Sequence, residues 1–223
     1  MSAFDPGLPA VLYPIIDPDV CRARGLDPAA TVRACLAGGA RLLQLRCKST
    51  PGGAFLALAE RLVLVARTYG ADLIVNDRAD IARLSGAAGV HVGQEDLSVD
   101  DMRAVAGATV LVGLSTHDER QVDEAVAGSA TYVAVGPIFG TVTKDTGYAA
   151  RGLDLVRYAA GRGKPVVAIG GITLDRVDRV VEAGASGVAV IGDLLAGGDP
   201  EARTREFIAR LRQETGDRRQ ETE

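Results

Sequence analysis

The sequence predicts an α/β protein folded as a single (β/α)8 TIM barrel. Three observations carry this expectation. About eight short apolar runs alternate with helix-period stretches along 223 residues. The runs are continuously apolar, as strands covered on both faces are, rather than alternating. Polar residues suited to chemistry fall just after the runs, where a barrel of this kind builds its active site. No linker or low-complexity insert separates the units, which favours the closed barrel over an open doubly wound sheet.

In chain order, strands are expected at Val11–Ile16, Leu42–Leu45, Asp72–Val75, Gly89–Val92, Val110–Leu114, Tyr132–Val135, Pro165–Ile169 and Gly187–Ile191. Helices are expected at Pro28–Leu36, Ala54–Thr68, Ala79–Ser85, Val99–Val105, Glu119–Ala127, Leu153–Ala160, Leu174–Ala183 and Glu201–Gln213. Asp27 before Pro28, Ser98 before Val99 and Thr173 before Leu174 offer the side-chain oxygens that open helices. Gly38, Gly70, Gly86 and Gly184 close helices and turn the chain toward the next strand. One catalytic domain is expected over residues 1–213. The charged, aperiodic stretch 214–223 reads as a disordered tail.

Composition narrows the function. Nearly half the chain is apolar (47%), enough to bury a core without disulfides or metal as staples. The formal net charge is −4 and no basic tract occurs, so the footprint of a nucleic-acid binder is missing. Cys21, Cys35 and Cys47 form an odd set that fits no zinc spacing and reads as free thiols in a reducing compartment. The first ten residues have no basic leader, and no apolar run approaches a membrane span. These features point to a soluble cytoplasmic protein acting on small molecules, with no membrane partner. Assembly into a homo-oligomer stays open.

The polar sets come next. After the second strand, Gln44, Arg46 and Lys48 alternate with Leu45 and Cys47, which sends the first three to one side. Two cations and an amide at a barrel mouth suit a polyanion, because guanidinium forks onto phosphate oxygens and ammonium adds a point charge. Asn76-Asp77 follows the third strand and Gln94-Glu95-Asp96 the fourth. Asp77 and Asp96 on neighbouring strands can flank one Mg²⁺, which takes one or two carboxylates and fills its other positions with water and phosphate. His91, inside an apolar strand, is expected to be a packed, hydrogen-bonded residue rather than a ligand. Ser115 is expected to be a hydrogen-bonding group, since no base is placed to make it a nucleophile. The long loop after the sixth strand offers Thr141, Val142, Thr143 and Lys144. Gly170-Gly171 and Ile191-Gly192 follow the last two strands, where barrels build phosphate cradles from backbone amides.

Together these stretches resemble the thiamine phosphate synthase family from about Leu12 to Leu195. The motifs that carry the resemblance are Gln44-x-Arg46-x-Lys48, Asn76-Asp77, Gly89 to Asp96, Ser115-Thr116-His117, Gly136 to Lys144 and Ile169 to Ile172. The resemblance implies a transferase that condenses 4-amino-2-methyl-5-(diphosphooxymethyl)pyrimidine with 4-methyl-5-(2-phosphoethyl)thiazole, or its carboxylated precursor. Gln44, Arg46, Lys48, Asn76, Ser115 and Lys144 would contact the pyrimidine diphosphate, with Arg46, Lys48, Ser115 and Lys144 catalytic. Asp77 and Asp96 would hold Mg²⁺. Thr141, Val142, Thr143, Gly170, Gly171, Ile191 and Gly192 would bind the thiazole phosphate. Three positions depart from the family pattern: Cys47 where Glu is frequent, Gly140 where Pro is, and Gly192 where Ser is. Cys47 is expected to point away from the substrates. Two other readings are a thiazole tautomerase on the same barrel, for which His117 is an acid–base candidate, and a non-catalytic binder of thiamine precursors. The complete charged set argues against both.

Overall fold

The computed structural model describes residues 10–140 and 147–221, with side chains as far as residue 213. The apolar runs form strands β1 (Val11–Ile16), β2 (Leu42–Leu45), β3 (Asp72–Asn76), β4 (Gly89–Val92), β5 (Leu111–Thr116), β6 (Tyr132–Val135), β7 (Val166–Ile169) and β8 (Gly187–Val190). They pair in sequence order, all parallel, and β8 closes onto β1. The predicted TIM barrel is the fold of this chain.

Helices return the chain between strands: α1 (Pro18–Ala23), α2 (Pro28–Ala37), α3 (Gly52–Thr68), α4 (Ala79–Ser85), α5 (Val99–Ala106), α6 (Glu119–Ala127), α7 (Gly152–Ala159), α8 (Val177–Glu182) and α9 (Pro200–Glu221). Asp27 and Ser98 cap α2 and α5 as expected, accepting from the backbone N–H of Ala30 and Asp101. Each such cap contributes roughly 1 kcal/mol. Thr173 does not cap a helix. The α8 helix begins only at Val177, because the Leu174 N–H is taken by Asp193 Oδ2 at 3.2 Å, a partner 19 positions away. The predicted fifth strand starts one residue later and runs two residues further, since Thr116 pairs with Val135 and its hydroxyl donates to the Ala134 carbonyl. Helix α1, and the 3-10 turns of Asp193–Gly198, lie where no element was expected.

The continuous apolar runs are explained by burial on both strand faces. Leu43, Leu45, Leu73, Val75, Val90, Val112, Val133 and Val188 point outward and pack beneath the helices. Tyr13, Ile15, Leu42, Ile74, Tyr132, Ala134, Val167 and Ala189 fill the barrel interior. Each fully buried Leu, Val or Ile contributes roughly 1.5–3 kcal/mol relative to exposure. The interior is tiered. Ile15, Gln44, Ile74, Gly89 and Leu111 lie level with one another, and Asn76, His91, Gly113 and Tyr132 form a second tier. The shift from apolar to polar up the barrel marks the end where chemistry is built.

Candidate active site at the mouth of the barrel

The β2–β4 sector of the rim is charged. Arg46 follows β2, and its Nη1 donates to Asp17 Oδ2 at 2.5 Å. Asp17 directly follows β1, is 4% exposed, and also caps α1 by accepting from Asp19 and Val20 N–H. The Arg46 Nε is buried without a hydrogen-bond partner among the described residues. A buried unpaired N–H costs about 1–3 kcal/mol, so an anionic oxygen here would relieve a penalty the fold already bears.

Lys48 Nζ contacts the Asp77 carboxylate. Asp77 sits at φ 64°, the one described residue other than glycine with a positive φ. Holding a side-chain-bearing residue there costs on the order of 1–2 kcal/mol, and such strain concentrates at functional sites. The Asp77 N–H donates to the His91 carbonyl at 2.8 Å, which pins this conformation to β4. Burial pushes the Asp77 carboxyl above its ordinary value, Lys48 pulls it down, and the neighbouring Asp96 charge pushes it up. Asp96 itself is exposed and accepts from the Gly93 N–H at 2.8 Å. Among the described residues no group of three or more His, Cys, Asp or Glu is placed to hold a metal. Two adjacent carboxylates at a mouth open to phosphate are the donor set that Mg²⁺ uses with a bound substrate. The residues present therefore fit that ion.

The opposite sector is lined by backbone. A cavity of about 370 Å³ opens there, bounded by Ser115, His117, Gly136, Pro137, Gly140, Ile169 to Thr173, Arg176, Ala189 to Asp193, Arg24 and Ala196. It gathers Ser115, Gly170, Gly171, Ile191 and Gly192 from the predicted set. Gln44, Arg46, Lys48, Asn76, Asp77 and Asp96 are outside its lining. Thr141, Val142, Thr143 and Lys144 lie outside the described residues. Gly171 has φ 62°, and a Cβ there would stand 2.4 Å from the Gly140 carbonyl oxygen. Only glycine allows that turn and that approach together. Asp193 anchors the other wall: besides the Leu174 N–H it accepts from Arg203 Nη2 at 2.7 Å, tying the end of β8 to α9.

A family model described as thiamine monophosphate synthase matches residues 12–194, the whole barrel from β1 to the turn after β8. The chain belongs to the thiamine monophosphate synthase family. It is 44% identical to the thiamine-phosphate synthase of Thermosynechococcus vestitus over 82% of this chain and 52% of that protein, so it spans about half that relative's length. It is 45% identical to the thiamine-phosphate synthase of Anaeromyxobacter dehalogenans over 80% of each chain. A solved thiamine phosphate pyrophosphorylase from Pyrococcus furiosus superposes with a TM-score of 0.83 at 29% identity, covering 92% of this chain and 96% of that one. A 3-hexulose-6-phosphate synthase at 18% identity and a TM-score of 0.65 shares the barrel fold.

The structure also places the three positions that depart from the family pattern. Cys47 packs with the layer between strands and helices, on the far side of the strand line from Gln44. Gly140 places its carbonyl against Gly171. Gly192 offers its carbonyl to Arg24 Nη1 at 2.8 Å. The sequence reading missed five residues that the structure brings to the site. Asp17 carried the same signal as the others, a polar residue straight after a strand. Tyr13 and Tyr132 had a weaker one, since a phenol inside an apolar run needs a buried partner. Arg24 and Arg176 had none, because one arrives from the end of α1 and the other from beyond the β7 turn, where its Nη1 donates to the Gly171 carbonyl at 3.0 Å.

Proposed function

We propose that this protein joins 4-amino-2-methyl-5-(diphosphooxymethyl)pyrimidine to 4-methyl-5-(2-phosphoethyl)thiazole or its carboxylated precursor, giving thiamine phosphate and diphosphate. The observation that carries the reading is one mouth with two unlike anion-recognising sectors in a chain of this family: cations and paired carboxylates over β2–β4, glycine backbone over β6–β8.

Arg46 and Lys48 would bind the diphosphate, exchanging their present carboxylate partners for its oxygens. Asp77 and Asp96 would hold Mg²⁺, which neutralises charge on the departing diphosphate. The bond from the pyrimidine methylene carbon to diphosphate oxygen breaks, its electron pair leaving with the diphosphate. The electron-rich aminopyrimidine ring stabilises the resulting cation. The thiazole nitrogen lone pair then forms the new carbon–nitrogen bond, and no general base is needed to activate it. Gly170, Gly171 and Gly192 would hold the thiazole phosphate on backbone amides, with Arg24 and Arg176 adding positive charge at that end of the cavity. Lys144 would add a further cation over the diphosphate, with Thr141 to Thr143 supporting the thiazole phosphate. The three free thiols fit a cytoplasmic setting.

The test is direct. Pure protein with both substrates and Mg²⁺ should yield thiamine phosphate and diphosphate in equal amounts. No product with either thiazole form would overturn the reading, and rearrangement of the thiazole alone would identify the tautomerase instead.

A further inference from the structure

The glycine cradle is made of two turns from different strands, so the gap between them has to be fixed by something outside the turns. The β7 turn supplies Gly170 to Thr173, the β8 turn supplies Ile191 and Gly192, and these residues line one cavity. Asp193, next in the chain after Gly192, spans the gap. Its Oδ2 accepts the N–H of Leu174, the residue straight after Thr173, at 3.2 Å. The same oxygen accepts from Arg203 Nε at 3.0 Å and from Nη2 at 2.7 Å. Arg203 stands on α9, which packs against both α8 and the Asp193–Gly198 turns. One carboxylate oxygen thus ties the exit of β8 to the exit of β7 and both to a long helix.

This placement has an electrostatic consequence. Asp193 is itself part of the cavity wall, and a bare carboxylate there would repel an arriving phosphate. The Asp193 side chain is 12% exposed and that of Arg203 25%, so water and salt screen the charge weakly. The guanidinium, charged at any working pH, cancels it. Arg203 is held in place from its other side, where Nη1 donates to Glu206 Oε2 at 2.9 Å and the guanidinium carbon lies 5.6 Å from the centre of the Phe207 ring. The mechanism proposed above uses neither Asp193 nor Arg203.

We propose that Asp193 is a positioning residue that sets the spacing of the two backbone turns for the thiazole phosphate, and that Arg203 is the counter-charge that lets a carboxylate stand in an anion site. The identity of the ligand rests on the function proposed above, whereas the tether and the ion pair rest on geometry alone.

The experiment is calorimetric titration of each variant with 4-methyl-5-(2-phosphoethyl)thiazole, together with steady-state kinetics for both substrates and thermal melts. Asp193→Asn removes the charge but keeps an oxygen able to take both donors, because both already share one oxygen. Its affinity for the thiazole phosphate should equal or exceed the wild-type value. Asp193→Ala removes charge and tether together and should weaken binding about tenfold, the opposite of what losing a repelling charge alone would do. Asp193→Glu keeps the charge but lengthens the tether, should weaken binding too, and decides the tether if Asp193→Ala does not fold. Arg203→Gln bares the carboxylate and should weaken binding about tenfold. Adding Asp193→Asn to it should restore wild-type affinity, a coupling that a plain structural contact would not give. KM for the pyrimidine diphosphate should stay at the wild-type value throughout.

A latch with a structural role alone would lower the melting temperature of Arg203→Gln and of the double variant without recovery of affinity, and that result would overturn the proposal. So would wild-type affinity in folded Asp193→Ala or Asp193→Glu, or a matching rise in both KM values. A wild type that binds no thiazole phosphate would end the functional reading, whereas a wild type that binds it, with variants that match it, would end the positioning role alone.

Discussion

The β2–β4 and β6–β8 sectors of the mouth both suit phosphate groups but are made of different material. Over β2–β4 the work falls to side chains that already hold one another: Arg46 with Asp17, Lys48 with Asp77, and Asp77 beside Asp96. Over β6–β8 it falls to backbone, with Gly170 at φ 100° and Gly171 at φ 62° packed against Pro137, Phe139 and Gly140. Paired side chains stay charged and ordered without ligand and can exchange partners as charge develops on a leaving group. A glycine cradle cannot respond to charge in that way, but on the function proposed above it would only have to hold a phosphate that stays intact through the reaction. That is the difference expected if, as proposed, one anion departs and the other is only a handle.

The largest effect should come from filling the glycine cradle. Gly171→Val places a branched side chain at a positive φ and within 2.4 Å of a carbonyl oxygen, and should weaken thiazole-phosphate binding by more than about a hundredfold through displaced backbone amides. Calorimetric titration with each substrate separately checks this. Weakened pyrimidine-diphosphate binding alone would break the division between sectors.

Asp96→Ala, or thorough chelation of the wild type, should lower turnover on the order of a hundredfold by removing metal charge from the leaving group. Thiazole-phosphate affinity should stay at the wild-type value. Full turnover with no metal found by elemental analysis would remove the metal from the mechanism.

Arg176→Gln should raise KM for the thiazole phosphate about tenfold, the lower end of a hydrogen bond to a charged group, since Arg176 is half-buried. An effect on the pyrimidine diphosphate instead would reassign this arginine to the other sector.

The smallest effect is expected at Cys47. Burial pushes its thiol up to about 11, so it is inert at neutral pH. Cys47→Ser and Cys47→Glu should keep substantial activity because the side chain faces the helix layer. A hundredfold loss in either folded variant would mean that this strand presents the opposite face to the substrates.

Much of the architecture was readable in advance. Strands β1, β2, β4 and β6 and helices α4 and α6 have the limits expected from pattern alone, because a strand buried on both faces needs an unbroken apolar run and a helix stripe needs its 3.6-residue period. The rule that polar residues follow strands located Arg46, Lys48, Asp77 and Asp96 at the rim, whereas Gln44, Asn76 and Ser115 lie within β2, β3 and β5. It applied equally to Asp17, which was passed over. Where α8 begins was hidden, since Asp193 takes the Leu174 N–H from across a turn. Arg24 was hidden too, as its role depends on a carbonyl 168 positions away.

The sequence alone determined the barrel, the family and the polar residues of the rim, because each is written in local periodicity or in contiguous motifs. Tertiary structure decided which of those residues touch. It gave Arg46 to Asp17, brought two arginines to the glycine cradle, and lined up Gln44, Tyr13, Tyr132, His91 and Ser115. Strand order and register set those meetings: closing eight strands into a ring makes neighbours of Tyr13 and Tyr132, 119 residues apart, and no local pattern encodes a distance of that kind.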